Sequence, residues 1–185
     1  MRTMLQFLET RGVAGASVLE IGGGIGALQI ELLRLGAART VNVELSPEWE
    51  DEARALLGET GFEGRVERRV ADALVDAGTL EPAEIVVMER VVCCYPDPDA
   101  LVGVAADRTR GVLVLSFPRD RWWVRLGNAA ANLICRARRV AFRSYVHPEE
   151  AIERAATSRG LRMAFEHAGM IWRIAAFERP RAASV

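Results

Sequence analysis

A cluster of glycines near the start of the chain separates two stretches of opposite character. A short stretch over 18–21, apolar except for Glu20, leads into five residues, 22–26, of which four are glycine, and an amphipathic run over 27–35 follows. This order predicts a strand, a tight turn and a helix. Glycines let the turn adopt positive φ and let a ligand lie against its backbone, and the unpaired N–H groups of the helix point at the same place. The stretch therefore predicts a ligand site built from backbone groups.

Two known patterns fit this cluster. Gly22, Gly24 and Ala27 match the G-x-G-x-x-G/A fingerprint of nicotinamide-binding proteins. Glu20, Gly22, Gly24 and Gly26 match E/D-x-G-x-G-x-G, and in this pattern the chain resembles the class I S-adenosylmethionine-dependent methyltransferases. Glu20 favours the second pattern, because a strand covered on both faces should be continuously apolar. A carboxylate is expected there if it faces the positively charged amino and sulfonium groups of S-adenosylmethionine.

Two further carboxylates follow predicted strands. Glu44 ends a strand over 39–44, where both nucleotide-binding families place an acid for the ribose hydroxyls; a solvated strand end is the simpler alternative. Asp72 follows a strand over 65–70, and the resemblance implies that it contacts adenine together with the next backbone N–H, although it is equally suited to cap a helix. The cofactor-binding residues implied in this way are Glu20, Gly22, Gly23, Gly24, Gly26, Glu44, Leu45, Asp72, Ala73 and Glu89.

Few side chains are candidates for acid–base work. His147 can titrate near neutrality and follows an arginine-rich segment, so it is a candidate base at the edge of an acceptor pocket, although such a histidine more often caps a helix. Tyr95 is a candidate for orienting an acceptor, or it packs beneath a cover. We expect the adjacent Cys93 and Cys94 to be small core residues, because neither has a histidine nearby in sequence to activate it. Three cysteines and two histidines lack the spacing of a metal site, so no metal is predicted.

The composition limits the possible functions. At 185 residues the chain suits one domain and is short for a nucleotide domain plus a substrate domain, which argues against an oxidoreductase. The net charge of −1 gives no general attraction to nucleic acid or to an anionic membrane. Without an apolar run of about 18 residues or a signal peptide, we predict a cytoplasmic protein with no integral membrane segment. All 24 basic residues are arginine, which excludes Schiff-base chemistry by lysine.

Strands and helices alternate along most of the chain. Further strands are predicted over 84–92 and 111–117, and helices over 3–10, 48–57 and 98–107, the second with Ser46 as its N-cap and Pro47 as its first residue. A helix over 148–158 precedes two strands, 161–167 and 171–178, joined around Gly169 as a hairpin.

This order predicts an α/β fold with a doubly wound, Rossmann-like sheet whose site lies at the carboxyl ends of the strands. The sheet should have seven strands, mostly parallel, and end in a C-terminal antiparallel hairpin. Such a hairpin is typical of the methyltransferase fold and is not expected of a dinucleotide-binding half. We predict a single domain over residues 1–185.

The segment 119–143 carries seven arginines, two adjacent tryptophans and one acid, Asp120. We predict that residues 119–146 form a helical insertion that covers the acceptor site; an amphipathic helix with a solvated arginine face is the alternative. Guanidinium groups bind carboxylates and phosphates in paired hydrogen bonds, and tryptophan offers a flat apolar surface. We therefore expect an acidic, largely apolar small-molecule acceptor, with Arg119, Arg121 and Arg125 as its anion contacts.

A narrower resemblance covers the C-terminal half. The Tyr95-Pro96 turn, the strand over 113–117, the stretch 145–150 and the final hairpin are similar to magnesium-protoporphyrin methyltransferases. The sequence thus predicts a methyltransferase that uses S-adenosylmethionine, releases S-adenosylhomocysteine and acts on a small, acidic acceptor. An NAD-dependent oxidoreductase and a non-catalytic cofactor-binding or membrane-surface module are the alternatives, and the arginine and tryptophan segment allows the last.

Overall fold

Alternating strands and helices build one seven-stranded sheet in the computed structural model, which describes residues 1–180. The strands are β1 (Ser17–Ile21), β2 (Arg39–Glu44), β3 (Val66–Val70), β4 (Ala83–Glu89), β5 (Thr109–Pro118), β6 (Arg162–Ala168) and β7 (Trp172–Glu178). The helices are α1 (Arg2–Glu9), α2 (Ala27–Arg34), α3 (Glu50–Thr60), α4 (Pro98–Asp107), α5 (Trp122–Ala137) and α6 (Glu149–Thr157).

The strand order is β3-β2-β1-β4-β5-β7-β6. The first five strands pair in parallel, while β7 lies antiparallel between β5 and β6. The order reverses direction at β1 and β4, which is where open parallel sheets hold their ligands. The predicted fold class and the closing hairpin are confirmed.

The sheet is buried on both faces. Successive side chains of β4 alternate, so that Ile85 and Val87 pack with α1 and α2, while Val86 and Met88 pack with α4 and α6. Strands covered on both sides read as continuous apolar runs, which is why β4 was recognisable in the sequence.

Two predicted elements have different limits in the structure. β4 ends at Glu89 rather than near Val92, because Arg90 has φ of 60° and leaves the extended conformation. The helix predicted over 48–57 is α3, which begins at Glu50, after a 3₁₀ turn over Pro47–Trp49. Ser46 does act as an N-cap, but for that turn, and accepts a hydrogen bond from Glu48 N at 3.4 Å.

The arginine-rich segment forms one helix, α5, followed by a strap of residues 138–148 that crosses back to α6. Asn128 and Asn132 of α5 donate to the carbonyl of Ser144 at 2.9 and 2.7 Å, and Tyr145 N donates to the carbonyl of Cys93 at 2.7 Å. These bonds tie the strap to α5 and to the loop after β4. In residues 1–180, neither α5 nor any other helix has the length and apolar character needed to cross a membrane.

Candidate functional site

A cleft of about 500 Å³ opens at the carboxyl ends of β1 to β4. Most of its walls are residues that end or directly follow these strands, joined by Leu101 of α4 and Phe142 of the strap. Its lining comprises Ile21, Gly22, Gly24, Val43, Glu44, Leu45, Ser46, Glu48, Trp49, Ala71, Asp72, Ala73, Arg90, Val91, Cys94, Tyr95, Leu101 and Phe142. The position is the one that the alternation of strands and helices predicts.

The glycine loop, residues 22–26, forms one wall of the cleft. Gly22, Gly24 and Gly26 have φ of 68°, 53° and 85°, values that favour glycine. A Cβ at Gly22 would lie 2.6 Å from a methyl carbon of Val91, whereas a Cβ at Gly24 would meet nothing within 4 Å. The packing of the loop therefore requires Gly22, and Gly24 leaves open space beside the cleft.

Glu44 connects this loop to the end of β2. Its carboxylate accepts hydrogen bonds from Gly24 N at 2.8 Å and from Ser46 N at 2.9 Å. The next residue, Leu45, is 60% exposed and lines the cleft together with Trp49. A buried carboxylate and two exposed apolar side chains thus lie side by side.

Asp72 and Tyr95 meet across the cleft. Asp72 accepts from Leu74 N at 2.9 Å within a turn and does not cap a helix, and Tyr95 Oη donates to its carboxylate at 3.2 Å. Desolvation, followed by this hydrogen bond, raises the pKa of Tyr95, so its hydroxyl stays protonated at neutral pH. Tyr95 is therefore a donor here and not a base.

Glu20 and Glu89 lie below the cleft wall. Glu20 is only 2% exposed, sits beneath Gly23, and accepts from Asn42 Nδ2 at 3.4 Å. Glu89 lies 2.8 Å from the backbone nitrogen of Met1. Burial raises the pKa of Glu20 to about 8, and the negative charge of Glu89 adds to the shift while Arg68 opposes it. At neutral pH the Glu20 carboxyl is thus largely protonated.

This raised pKa makes the stability depend on pH. The folded state holds a proton on Glu20 that the unfolded chain releases near pH 4.5, so the contribution of Glu20 to stability is fully present below that value and falls by up to about 1.4 kcal/mol per pH unit as the pH rises to about 8. Glu20→Gln cannot ionise and should be more stable than wild type at pH 9. Urea unfolding at pH 5, 7 and 9, with the exposed Glu81→Gln as control, checks this. Equal pH slopes for wild type and Glu20→Gln would contradict it.

His147 lies behind Tyr95 and not in the cleft wall. Its Nε2 donates to the carbonyl of Tyr95 at 2.9 Å, and its ring stacks on Tyr145 with centroids 5.7 Å apart. The side chain is buried. The structure therefore brings His147 and Tyr95 together, with the histidine placed to position the tyrosine.

The three arginines predicted as anion contacts lie outside the cleft. Arg125 donates to Asp120 at 2.8 Å, Arg119 donates to the carbonyl of Gly169 at 3.0 Å, and Arg121 is exposed. The arginine that lines the cleft is Arg90, whose guanidinium packs 4.9 Å from the centroid of the Trp172 ring. The predicted cover therefore contributes one side chain to the cleft, Phe142.

Arg90, Trp49 and Phe142 are among the cleft-lining residues that the sequence did not indicate. Arg90 directly follows β4, so the rule that sites form at the carboxyl ends of strands could have identified it. Trp49 lies five residues after the end of β2, in the 3₁₀ turn over Pro47–Trp49. Phe142 is placed by the strap, and its local sequence carries no signal for that position.

The cleft suits a nucleoside-containing ligand. Glu44 and Asp72 supply acceptors for hydroxyl and amine groups, and Leu45, Trp49 and Phe142 offer apolar surface to a flat ring. The open space at Gly24 leaves room for a ligand against the backbone. These residues fit the adenosine part of S-adenosylmethionine.

Comparison with known proteins gives the same fold and a family. Residues 1–169 match the model of a family described as a methyltransferase domain. The chain is similar to magnesium protoporphyrin IX methyltransferase from Synechocystis PCC 6803, solved with bound S-adenosylhomocysteine, at 23% identity over 97% of this chain and 81% of that one, with a TM-score of 0.77. An O-methyltransferase family protein from Burkholderia thailandensis is similar at 22% identity over 96% and 55% of the two chains, with a TM-score of 0.76.

One relative is similar over a short stretch. Ribosomal protein L11 methyltransferase from Edwardsiella ictaluri (strain 93-146) is 36% identical over 63 residues. The stretch is 34% of this chain and spans 22% of that relative.

Proposed function

Because the chain belongs to the methyltransferase domain family, we propose that it transfers a methyl group from S-adenosylmethionine to a small, acidic acceptor and releases S-adenosylhomocysteine. Membership of this family favours methyl transfer over the oxidoreductase alternative. The observation that carries the choice of acceptor is Arg90, a cation in the cleft wall beside Tyr95 and Phe142.

The cofactor half of the cleft is formed by β1, β2 and β3. Glu44 would hold the ribose hydroxyls, and Asp72 with the N–H of Ala73 would hold adenine, between the apolar side chains of Leu45 and Trp49. The backbone of the glycine loop would hold the amino-acid part. When bound, S-adenosylmethionine supplies a methyl group on a positively charged sulfur, which leaves as a neutral thioether.

The acceptor half lies toward the end of β4. Arg90 would pair with an acidic group, while Phe142 provides an apolar contact. A carboxylate is already ionised at neutral pH and needs no base, which agrees with a protonated Tyr95 and with His147 bonded to a backbone carbonyl. The protein would then act mainly by alignment, which can lower a barrier by about 7–11 kcal/mol.

One of the similar proteins has an acceptor of this class. The Synechocystis enzyme is named for a protoporphyrin, a flat and largely apolar molecule that carries carboxylates. The proposal for this chain extends to the chemical class of that acceptor and not to its identity.

Replacing Arg90 tests the acceptor. In a methyl-transfer screen of acidic, neutral and basic small molecules, we expect acidic ones to be the best acceptors. Arg90→Gln should lower kcat/KM for them by about tenfold, because a hydrogen bond to a charged group contributes about 1.5 kcal/mol or more. The dissociation constant of S-adenosylhomocysteine should change little.

Arg125→Gln is the matched control, since Arg125 is bonded to Asp120 and lies outside the cleft. It should keep the wild-type kcat/KM. A preference for neutral or basic acceptors, or equal loss of activity in both variants, would exclude Arg90 as the anion contact.

A further inference from the structure

Helix α5 is oriented with its apolar side toward solvent. Its outward residues include Trp122, Leu126 and Leu133, which are 72%, 63% and 67% exposed, together with Trp123 and Ile134. Trp122, Leu126 and Leu133 recur at helical spacings of four and seven residues and so share one face, which Trp123 and Ile134 widen on one side. The helix thus exposes a continuous apolar surface.

The opposite side of α5, which faces the protein, carries two asparagines and one buried apolar residue. Asn128 and Asn132 bond to Ser144 of the strap, and Val124 is the buried apolar residue of the helix. A surface helix of a free-standing domain normally has the reverse arrangement. The outward face is therefore left without an apolar partner among residues 1–180.

Arginines surround this apolar face. Arg125 and Arg136 lie three residues after Trp122 and Leu133, at the border of the face, and Arg138 and Arg139 follow the helix. The sequence contains no acid between Asp120 and Glu149, although the whole chain has a net charge of −1. The positive charge is thus concentrated where the apolar surface is exposed.

The apolar surface extends to the turn between β6 and β7. Met170 and Ile171 are exposed there, and the carbonyl of Ile171 accepts from Arg119 N at 2.8 Å, just before α5. This turn and the start of α5 lie at the carboxyl end of β5, because Pro118 pairs with Trp172. Both elements therefore lie at the end of the sheet that holds the carboxyl ends of the parallel strands, as the cleft does.

We propose that the outward face of α5, with the β6–β7 turn, docks on the surface of a lipid bilayer that carries anionic lipids. Apolar side chains with tryptophan would enter the boundary of the acyl chains, while the flanking arginines contact the headgroups, as in interfacial amphipathic helices. A second copy of the chain would fit less well, because a self-complementary contact would bring two arginine borders together. The proposal is independent of the reaction proposed above.

Vesicle co-sedimentation of the full chain, without cofactor or acceptor, tests this docking. The protein should bind mixed phosphatidylglycerol–phosphatidylcholine vesicles, bind pure phosphatidylcholine vesicles more weakly, and dissociate from the mixed vesicles at high salt. The double variant Leu126→Gln/Leu133→Gln should lower the affinity for mixed vesicles by about tenfold or more. Both residues are exposed and glutamine is a good helix former, so circular dichroism should be unchanged.

Met163→Gln is the control, because Met163 is an exposed apolar residue near the start of β6, at the end of the sheet opposite the cleft. It should bind vesicles as wild type does. Absence of binding by the wild type, or binding that the leucine substitutions leave unchanged, would overturn the proposal. A solution dimer that the leucine substitutions dissociate would assign the face to a second copy and overturn it as well.

Discussion

Replacing Gly24 by valine should abolish binding of S-adenosylmethionine and S-adenosylhomocysteine while the domain stays folded. The new side chain would project from the glycine loop into space that is otherwise open and that borders the cleft. We expect the affinity to fall by more than about a hundredfold, because the ligand and the side chain cannot occupy the same volume. Calorimetric titration and thermal melting with ligand measure this loss.

In the melting experiment, ligand at a hundred times its dissociation constant should stabilise the wild type by about 2.7 kcal/mol, which corresponds to a rise in Tm of about 5 to 11 °C. Gly24→Val should show no such rise. Gly61→Val is the matched control, since Gly61 also has positive φ, 69°, and open space around its Cβ position, but caps α3 away from the cleft. Both variants should lose about 1–2 kcal/mol of stability from the left-handed backbone, so that only ligand binding distinguishes them.

Removal of the Glu44 carboxylate should weaken cofactor binding by about ten- to a hundredfold, the value of a hydrogen bond to a charged group. The carboxylate also holds Gly24 N and Ser46 N, so Glu44→Ala alone does not distinguish a ribose contact from support of the loop. The distinguishing ligand is 2′-deoxy-S-adenosylhomocysteine. Wild type should bind it more weakly than the ribose form, and Glu44→Ala should bind the two forms almost equally.

A control for local charge is Glu48→Gln, because Glu48 also lines the cleft. It should keep the preference for the ribose form. If Glu44→Ala keeps the wild-type preference too, Glu44 supports the loop and the ribose is bound elsewhere.

The parts of the fold and site that could be predicted are those set by local sequence. Glycine spacing and the apolar runs identify β1, β2 and β4, and the parallel order places Gly24, Glu44 and Asp72 at one edge of the sheet. Each of these residues ends a strand or follows one within three positions, so knowing the strands is enough to group them. The hairpin could also be predicted locally, because two strand-like runs, 161–167 and 171–178, are joined around Gly169.

The remaining features depend on tertiary contacts between distant parts of the chain. His147 bonds to Tyr95, 52 positions earlier, and only the path of the strap determines that meeting. The sequence of α5 shows an apolar stripe but not which way it faces, and the asparagine bonds to Ser144 decide the orientation. The strand-end rule indicates Arg90 but not the positive φ that ends β4 there, which arginine rarely adopts.

The strap gives the two halves of the cleft different mechanical character. The cofactor half is formed by paired strand ends. Phe142, by contrast, is 51% exposed and lies between two hydrogen bonds to α5, one from Val140 N to the carbonyl of Cys135 and one from Ser144 N to Asn132 Oδ1. Stiffness follows the density of such bonds, so the strap wall can adjust at lower cost than the strand ends. During divergence of related sequences, substitutions in the strap would change acceptor choice while leaving the donor site intact. With a rigid wall for the methyl donor and a more deformable wall for the acceptor, related proteins could keep the same donor while their acceptors differ.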